Sequence, residues 1–232
     1  MQEQGKLHEA IDLYRHSIKL DPKQADACYN IASALQDLDM RNDAKLYYER
    51  TITLRPSHYM AFYNLGYIYQ DLNEMDKCIE CFLKAAQLEP NDCDTFINLG
   101  LAYKQKGLLG DAVKADKRAI SINTNSIMAY FNLGNAYQDG KDYDRAIKCF
   151  KQAISIDNSH IMSIYNLGIS YQERALISSN SKSNNGKSRL TDLQNAQQAF
   201  EAVHSKDPLT YETDKAMEFI ENSLRDVNLL IS

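Results

Sequence analysis

A single interval organises this sequence. Asn30, Asn64, Asn98, Asn132 and Asn166 stand 34 residues apart four times in succession. Each is second in a related tetrapeptide: Tyr29-Asn30-Ile31-Ala32, Tyr63-Asn64-Leu65-Gly66, Ile97-Asn98-Leu99-Gly100, Phe131-Asn132-Leu133-Gly134 and Tyr165-Asn166-Leu167-Gly168. A period of about 20–50 residues marks a chain of stacked supersecondary units, none able to bury its apolar face alone. The chain must therefore fold by apposing neighbouring units, not by closing one core around unrelated segments.

Other signals keep the same phase. Phe62, Leu65, Gly66 and Tyr69 are followed by Cys78, Phe82 and Pro90; Tyr130, Leu133, Gly134 and Tyr137 are followed by Ala146 and Phe150. Apolar residues three and four apart line one side of a helix, so each unit reads as two helices. Gly66, Gly100, Gly134 and Gly168 fall inside the first helix, where glycine costs about 1 kcal/mol relative to alanine. A closely approaching neighbour accounts for that choice. Small Ala10, Ala44, Cys78, Ala112, Ala146 and Ala196 do the same for the second helix. Gly5, Asp39, Asn73, Gly107 and Gly140 suit the left-handed residue that ends a helix. Pro22, Pro56, Pro90 and Pro208 close units, because proline cannot continue one. Taken together, these offsets resemble the tetratricopeptide repeat. The resemblance spans nearly the whole chain and implies an all-α fold: a right-handed superhelical solenoid of antiparallel helix pairs with a C-terminal capping helix.

In this register the full units are 25–58, 59–92, 93–126, 127–160 and 161–208. The last is longer than the others, and its surplus, 178–189, is polar and expected to be an inserted flexible loop. Residues 1–24 match only a second helix. The expectation is a partial repeat whose open face is covered by an upstream part of the same protein or by another chain. Residues 209–232 carry the stripe Met217, Ile220, Leu224, Val227 and Ile231 and read as the cap. Asp116 occupies the slot filled elsewhere by Tyr14, Tyr48, Phe82, Phe150 and Phe200. It is expected to loosen its unit and stay partly solvated or paired, since a buried unpaired carboxylate is costly.

Catalytic and metal chemistry find little support. His8, His16, His58, His160 and His204 lack a recurring nucleophile or carboxylate beside them. Cys78 and Cys81 lie in the small-residue slot and next to a core aromatic, and no second pair completes a zinc site. Asn185-Gly186-Lys187-Ser188 is only the tail of a phosphate-binding loop. No catalytic residue, metal or cofactor is expected, and the chain reads as non-enzymatic. Lys and Arg total 26 against 31 Asp and Glu, a net charge of -5, which disfavours nucleic acid as a partner. No apolar run is long enough to span a membrane. Five cysteines in a long chain do not form a disulfide framework and suggest a cytoplasmic location.

The family resemblance places the first helices along a concave groove. Its expected peptide-contacting residues are the ladder Asn30, Asn64, Asn98, Asn132 and Asn166; the bulky Tyr29, Tyr63, Tyr67, Phe131 and Tyr165; the amides Gln36, Gln70, Gln138 and Gln172; and the acids Asp71 and Asp139. An asparagine amide can both donate to and accept from a peptide backbone of any sequence. The alternative use of this asparagine is a hydrogen bond between helices. The ladder resembles that of the superhelix in O-linked N-acetylglucosamine transferases, whose catalytic domain is absent here. Lys104 is the only basic residue on the five first-helix faces. The implied partner is thus a neutral or basic extended segment or helix, held by a scaffold or adaptor. Two other readings stand open: the substrate-recognition portion of a larger enzyme such as a protein O-glycosyltransferase, or a structural subunit of a ciliary or cytoskeletal assembly.

Overall fold

The computed structural model describes residues 2–179, 186–208 and 213–231. These form helices only, in two compact units. The first unit holds α1 (Gln2–Leu20), α2 (Ala25–Asp37), α3 (Arg41–Leu54), α4 (Tyr59–Asp71), α5 (Met75–Leu88) and α6 (Cys93–Gln105). The second holds α7 (Leu109–Ile122), α8 (Ile127–Asp139), α9 (Tyr143–Ile156), α10 (Ile161–Ser179), α11 (Gly186–Lys206) and α12 (Thr213–Ile231). Helices pack in pairs, α2 on α3, α4 on α5, α8 on α9 and α10 on α11, and α12 lies on α11. No helix among the described residues is long and apolar enough to cross a membrane.

Side chains at fixed repeat positions set the helix ends. His58, Asp92 and Ser126 precede α4, α6 and α8, and each accepts a backbone N–H of the first turn: Ala61 at 3.2 Å, Thr95 at 2.8 Å and Ala129 at 3.3 Å. These bonds satisfy donors that a helix N-terminus otherwise leaves open. The turn after each first helix is left-handed at Asp39, Asn73, Gly107 and Lys141, with φ of 59°, 58°, 79° and 59°. Two of the expected turn residues are thereby corrected. Gly5 lies within α1, and Gly140 has an ordinary φ of -77° while Lys141 takes the left-handed conformation. The repeat interval, continuing from 39, 73 and 107 to 141, overrides local preference for glycine. The turn is held by backbone bonds that any residue can make: Met40, Glu74 and Asp142 N–H each donate, at 2.8 Å, to the carbonyl five residues back.

The mid-helix glycines are explained by contact. A Cβ at Gly66, Gly134 or Gly168 would stand 2.8, 2.6 or 2.9 Å from the ring of Phe82, Phe150 or Phe200. Each of these phenylalanines is fully buried on the paired second helix. In unit 25–58 the same slot holds Ala32 opposite Tyr48, both fully buried.

Of the two outcomes expected for Asp116, solvated or paired, partial solvation does not occur. The residue is 1% exposed, and α7 is a continuous helix in which Ala112, Ala115 and Ala119 are buried alongside it. The slot is closed by packing whichever residue occupies it, so the carboxylate is enclosed, not solvated. The expected loop at 178–189 is corrected at both ends, where α10 reaches Ser179 and α11 begins at Gly186; 180–185 lie outside the described residues. Arg174 and Asp192 join the two helices. Arg174 Nε donates to Asp192 Oδ2 at 2.9 Å and Nη2 to Oδ1 at 2.5 Å, with Nη1 on Asp144. That pairing drives the guanidinium pKa well above its ordinary value. On α12, Ile220 is fully buried, and Met217 and Leu224 pack beside it against Leu193, Ala196 and Phe200. Val227 and Ile231 lie outside the described side chains.

Candidate interaction face of the first helices

In the first unit the face is built on α2, α4 and α6. Tyr29 stacks near Tyr48, with ring centres 5.8 Å apart, and against His58 at 4.7 Å. Tyr63 and Tyr67 meet edge to face at 5.1 Å, and both lean on Phe82, at 6.0 and 5.7 Å. The bulky face residues are therefore half-buried and fixed by core aromatics, not loose. Burial and hydrogen bonds to a neighbouring phenol or carboxylate raise the pKa of Tyr63 and of Tyr59. The Tyr63 pKa rises far above its ordinary value through desolvation and the Tyr67 hydroxyl. Tyr59, half-buried and donating to Asp92 Oδ2 at 2.5 Å, is raised to about 12 by desolvation and that bond.

The asparagines point back along the stack. Asn64 Nδ2 donates to the hydroxyls of Tyr29 at 3.2 Å and Tyr48 at 3.1 Å. Asn98 Nδ2 does the same to Tyr63 at 3.1 Å and Tyr67 at 2.7 Å, and is only 8% exposed. In the second unit, on α8 and α10, Asn132 is 6% exposed and Asn166 Nδ2 donates to Asn135 Oδ1 at 2.7 Å. Asn30 is half-buried. The amide donors of Asn64, Asn98 and Asn166 are thus engaged between successive repeats, the alternative use that the sequence allowed. For Asn64 and Asn98 the signal that distinguishes the two uses is a tyrosine hydroxyl one repeat earlier; for Asn166 it is the amide of Asn135.

The glutamines make a second set of links. Tyr48 Oη donates to Gln36 Oε1 at 2.8 Å, and Gln70 Nε2 donates to Gln105 Oε1 at 3.0 Å. Gln138 and Gln172 are half-buried, as are Phe131 and Tyr165, whose rings lie 6.1 Å from Phe150 and 5.7 Å from Phe200. Asp71 and Asp139 are exposed. Two acids of the first unit are balanced by cations that the first-helix sets did not contain. Arg55 grips Asp26 through both carboxylate oxygens, at 2.5 and 2.8 Å, and lowers its pKa. Arg41 Nε lies 3.1 Å from Asp71. The remaining exposed feature is methionine. Met60, Met128 and Met162 occupy the same repeat position and are 41%, 43% and 43% exposed, whereas Asp26 and Asp94 fill that position in the other two repeats.

Cys78 and Cys81 are buried thiols, pushed up to about 12 by desolvation, which keeps them protonated. Among the described residues no group of three or more His, Cys, Asp or Glu gathers as a metal site.

Comparison with known proteins agrees with this geometry. Tetratricopeptide repeat profiles match residues 59–92 and 127–160, and a second set matches 25–58 and 94–126; a TPR repeat profile matches 3–39. Sequence comparison with curated proteins finds no match. Among solved structures, MamA is 27% identical with a TM-score of 0.65, over 68% of this chain and 92% of its own. YrrB, described as a TPR protein with an unusual peptide-binding site, is 22% identical at a TM-score of 0.65 over 83% of this chain and 97% of its own. Pseudomonas aeruginosa PilF is 17% identical at a TM-score of 0.69 over 94% of this chain and 91% of its own.

Proposed function

Because the chain belongs to the tetratricopeptide repeat family, we propose that it is a non-catalytic protein-interaction scaffold holding an extended, neutral or basic polypeptide segment against its first helices. The observation that carries this reading is the recurrence of exposed Met60, Met128 and Met162 at one repeat position, with Asp26 and Asp94 in the others. Methionine is flexible and polarisable and adapts to varied apolar side chains. The exposed carboxylate of Asp94, at the same repeat position on α6, favours cationic over anionic segments. In the first unit the asparagine and tyrosine hydrogen bonds tie the helix that carries Met60 to its neighbours, so a peptide meets a surface already ordered there. The peptide-binding description of YrrB is in keeping with this role. Free thiols at all five cysteines suit a cytoplasmic location.

The test is selection of a random dodecapeptide phage library on the full chain. Enriched peptides should be neutral or positive, and Met60→Glu, Met128→Glu or Met162→Glu should reduce their binding by about tenfold. Enrichment of acidic peptides, or binding indifferent to all three substitutions, would refute the reading.

A further inference from the structure

We propose that the outward faces of α7 and α9 form a second docking surface, one that takes an acidic polypeptide segment. Beyond the first turn of each helix, every exposed charged residue is a cation: Lys114, Lys117 and Arg118 on α7, and Lys148 and Lys151 on α9; of these, Lys114 lies 2.8 Å from Asp111 of its own helix. Asp111 and Asp144 lie in the first turns, and Asp116 is buried. This concentration occurs in a chain of net charge -5, so it is not the overflow of a basic composition.

The arrangement is a lattice. Lys114 and Lys148 share one repeat position, and Lys117 and Lys151 share another, three residues further on. Residues three apart on a helix present side chains about 5–6 Å apart on one face. Val113 and Ile120 of α7 and Ala146, Cys149 and Phe150 of α9 join one core cluster with Leu133 and Tyr137 of the intervening α8, so the two cationic helices are held on either side of α8. The pattern is not a property of the repeat, because the matching places hold Leu46 and Glu49 on α3 and Glu80 and Leu83 on α5. Lys151 is also steadied by the Tyr171 ring, 5.5 Å from its Nζ.

The occupant follows from what the lattice has and lacks. A membrane-binding helix couples cations to an exposed apolar face, and no large exposed hydrophobic residue lies within α7 or α9. Single-stranded nucleic acid is gripped by aromatic platforms beside a basic track, and Tyr143, the aromatic at the start of α9, is buried. A short acidic segment needs neither. Its carboxylates, one helical turn apart, match the separation of the lysines along each helix. The first-helix face and this one then prefer partners of opposite charge, and neither proposal depends on the other.

The test is fluorescence anisotropy of a fluorescein-labelled decaglutamate peptide with the full chain at about 50 mM salt, where screening is weak. Lys117→Glu/Lys151→Glu should weaken binding by about tenfold or more, and neutral Lys117→Gln/Lys151→Gln should weaken it less. The equal-charge control Lys23→Glu/Lys84→Glu should change it by less than about threefold. The proposal is overturned if decaglutamate does not bind, or if the control weakens binding as much as the lattice variant. Tighter, Lys117/Lys151-dependent binding to phosphatidylserine vesicles or to single-stranded RNA would overturn it in favour of those classes. Self-association of wild type that the double reversal abolishes would assign the surface to a second copy of the chain.

Discussion

Gly134→Ala isolates the contact that shapes each repeat. Alanine is the better helix former by about 1 kcal/mol, so an open site would gain stability. Gly134 is not open: the added Cβ would lie 2.6, 2.8 and 2.9 Å from three carbons of the Phe150 ring. Carbon atoms in contact prefer about 3.5–4.0 Å, so the ring must retreat by roughly 1 Å. Phe150 is fully buried among Leu133, Tyr137, Ala146 and Cys149, with Phe131 and Leu167 packed against the same cluster. Overpacking of this kind costs about 1–3 kcal/mol, which exceeds the propensity gain. A net loss near 1 kcal/mol is expected, or about 2–4 °C in Tm for a chain of this size. Gly110 provides the opposite case, since a Cβ there meets nothing within 4 Å, and Gly110→Ala should stabilise by up to about 1 kcal/mol. Urea titrations followed by circular dichroism give both values. Adding Phe150→Leu to Gly134→Ala should recover stability relative to the sum of the single changes, a coupling of about 1 kcal/mol. If Gly134→Ala stabilised as much as Gly110→Ala, the contact would not govern the choice of glycine.

Three other substitutions probe the remaining parts of the fold. Neutral His58 caps α4 through Nδ1, and desolvation, aided by Arg55 and opposed by Asp26, lowers its pKa. Its contribution is fully present above the unfolded value near 6.5 and is lost as pH falls through the lower folded value. The Tm difference between pH 7 and pH 5 should therefore shrink in His58→Asn, and an unchanged difference would exclude His58 as its source. Arg174→Met leaves Asp192, whose side chain is 5% exposed, without its bidentate partner; a loss of about 3 kcal/mol is expected by urea titration, and a neutral result would show that this ion pair does not hold α10 to α11. Lys141→Gly removes a left-handed strain of about 1–2 kcal/mol against glycine's added chain entropy of about 0.5–1 kcal/mol. It should raise Tm by a degree or more, and a fall would mean that the Lys141 side chain holds the turn.

Periodicity exposed the helix pairs and the close approach at Gly66, Gly134 and Gly168 because their positions recur at one interval along the chain. The left-handed turn falls at Lys141 and not at Gly140 because the position is set by the repeat interval through Asp39, Asn73 and Gly107, which outweighs the local preference for glycine. Asp116 is not solvated, because burial depends on neighbouring helices and not on the residue's own solvation preference. The face of the first helices was legible in position but not in use. Asparagine spacing places Asn64 and Asn98 on one side of their helices, yet whether that side meets a peptide depends on Tyr29, Tyr48, Tyr63 and Tyr67. Those hydroxyls are brought into reach only by stacking. The pairing of Asp26 with Arg55 and of Asp71 with Arg41 was hidden likewise, since both arginines lie outside the first helices.

The most direct test of the scaffold reading is photocrosslinking with benzoylphenylalanine at single sites. Placed at Met60, Met128 or Met162, it should capture a selected neutral or basic dodecapeptide; placed at Leu46 or Leu83, exposed on second helices, it should not. Capture at Leu46 or Leu83 with none at the three methionines would contradict the assignment of the first helices as the binding face.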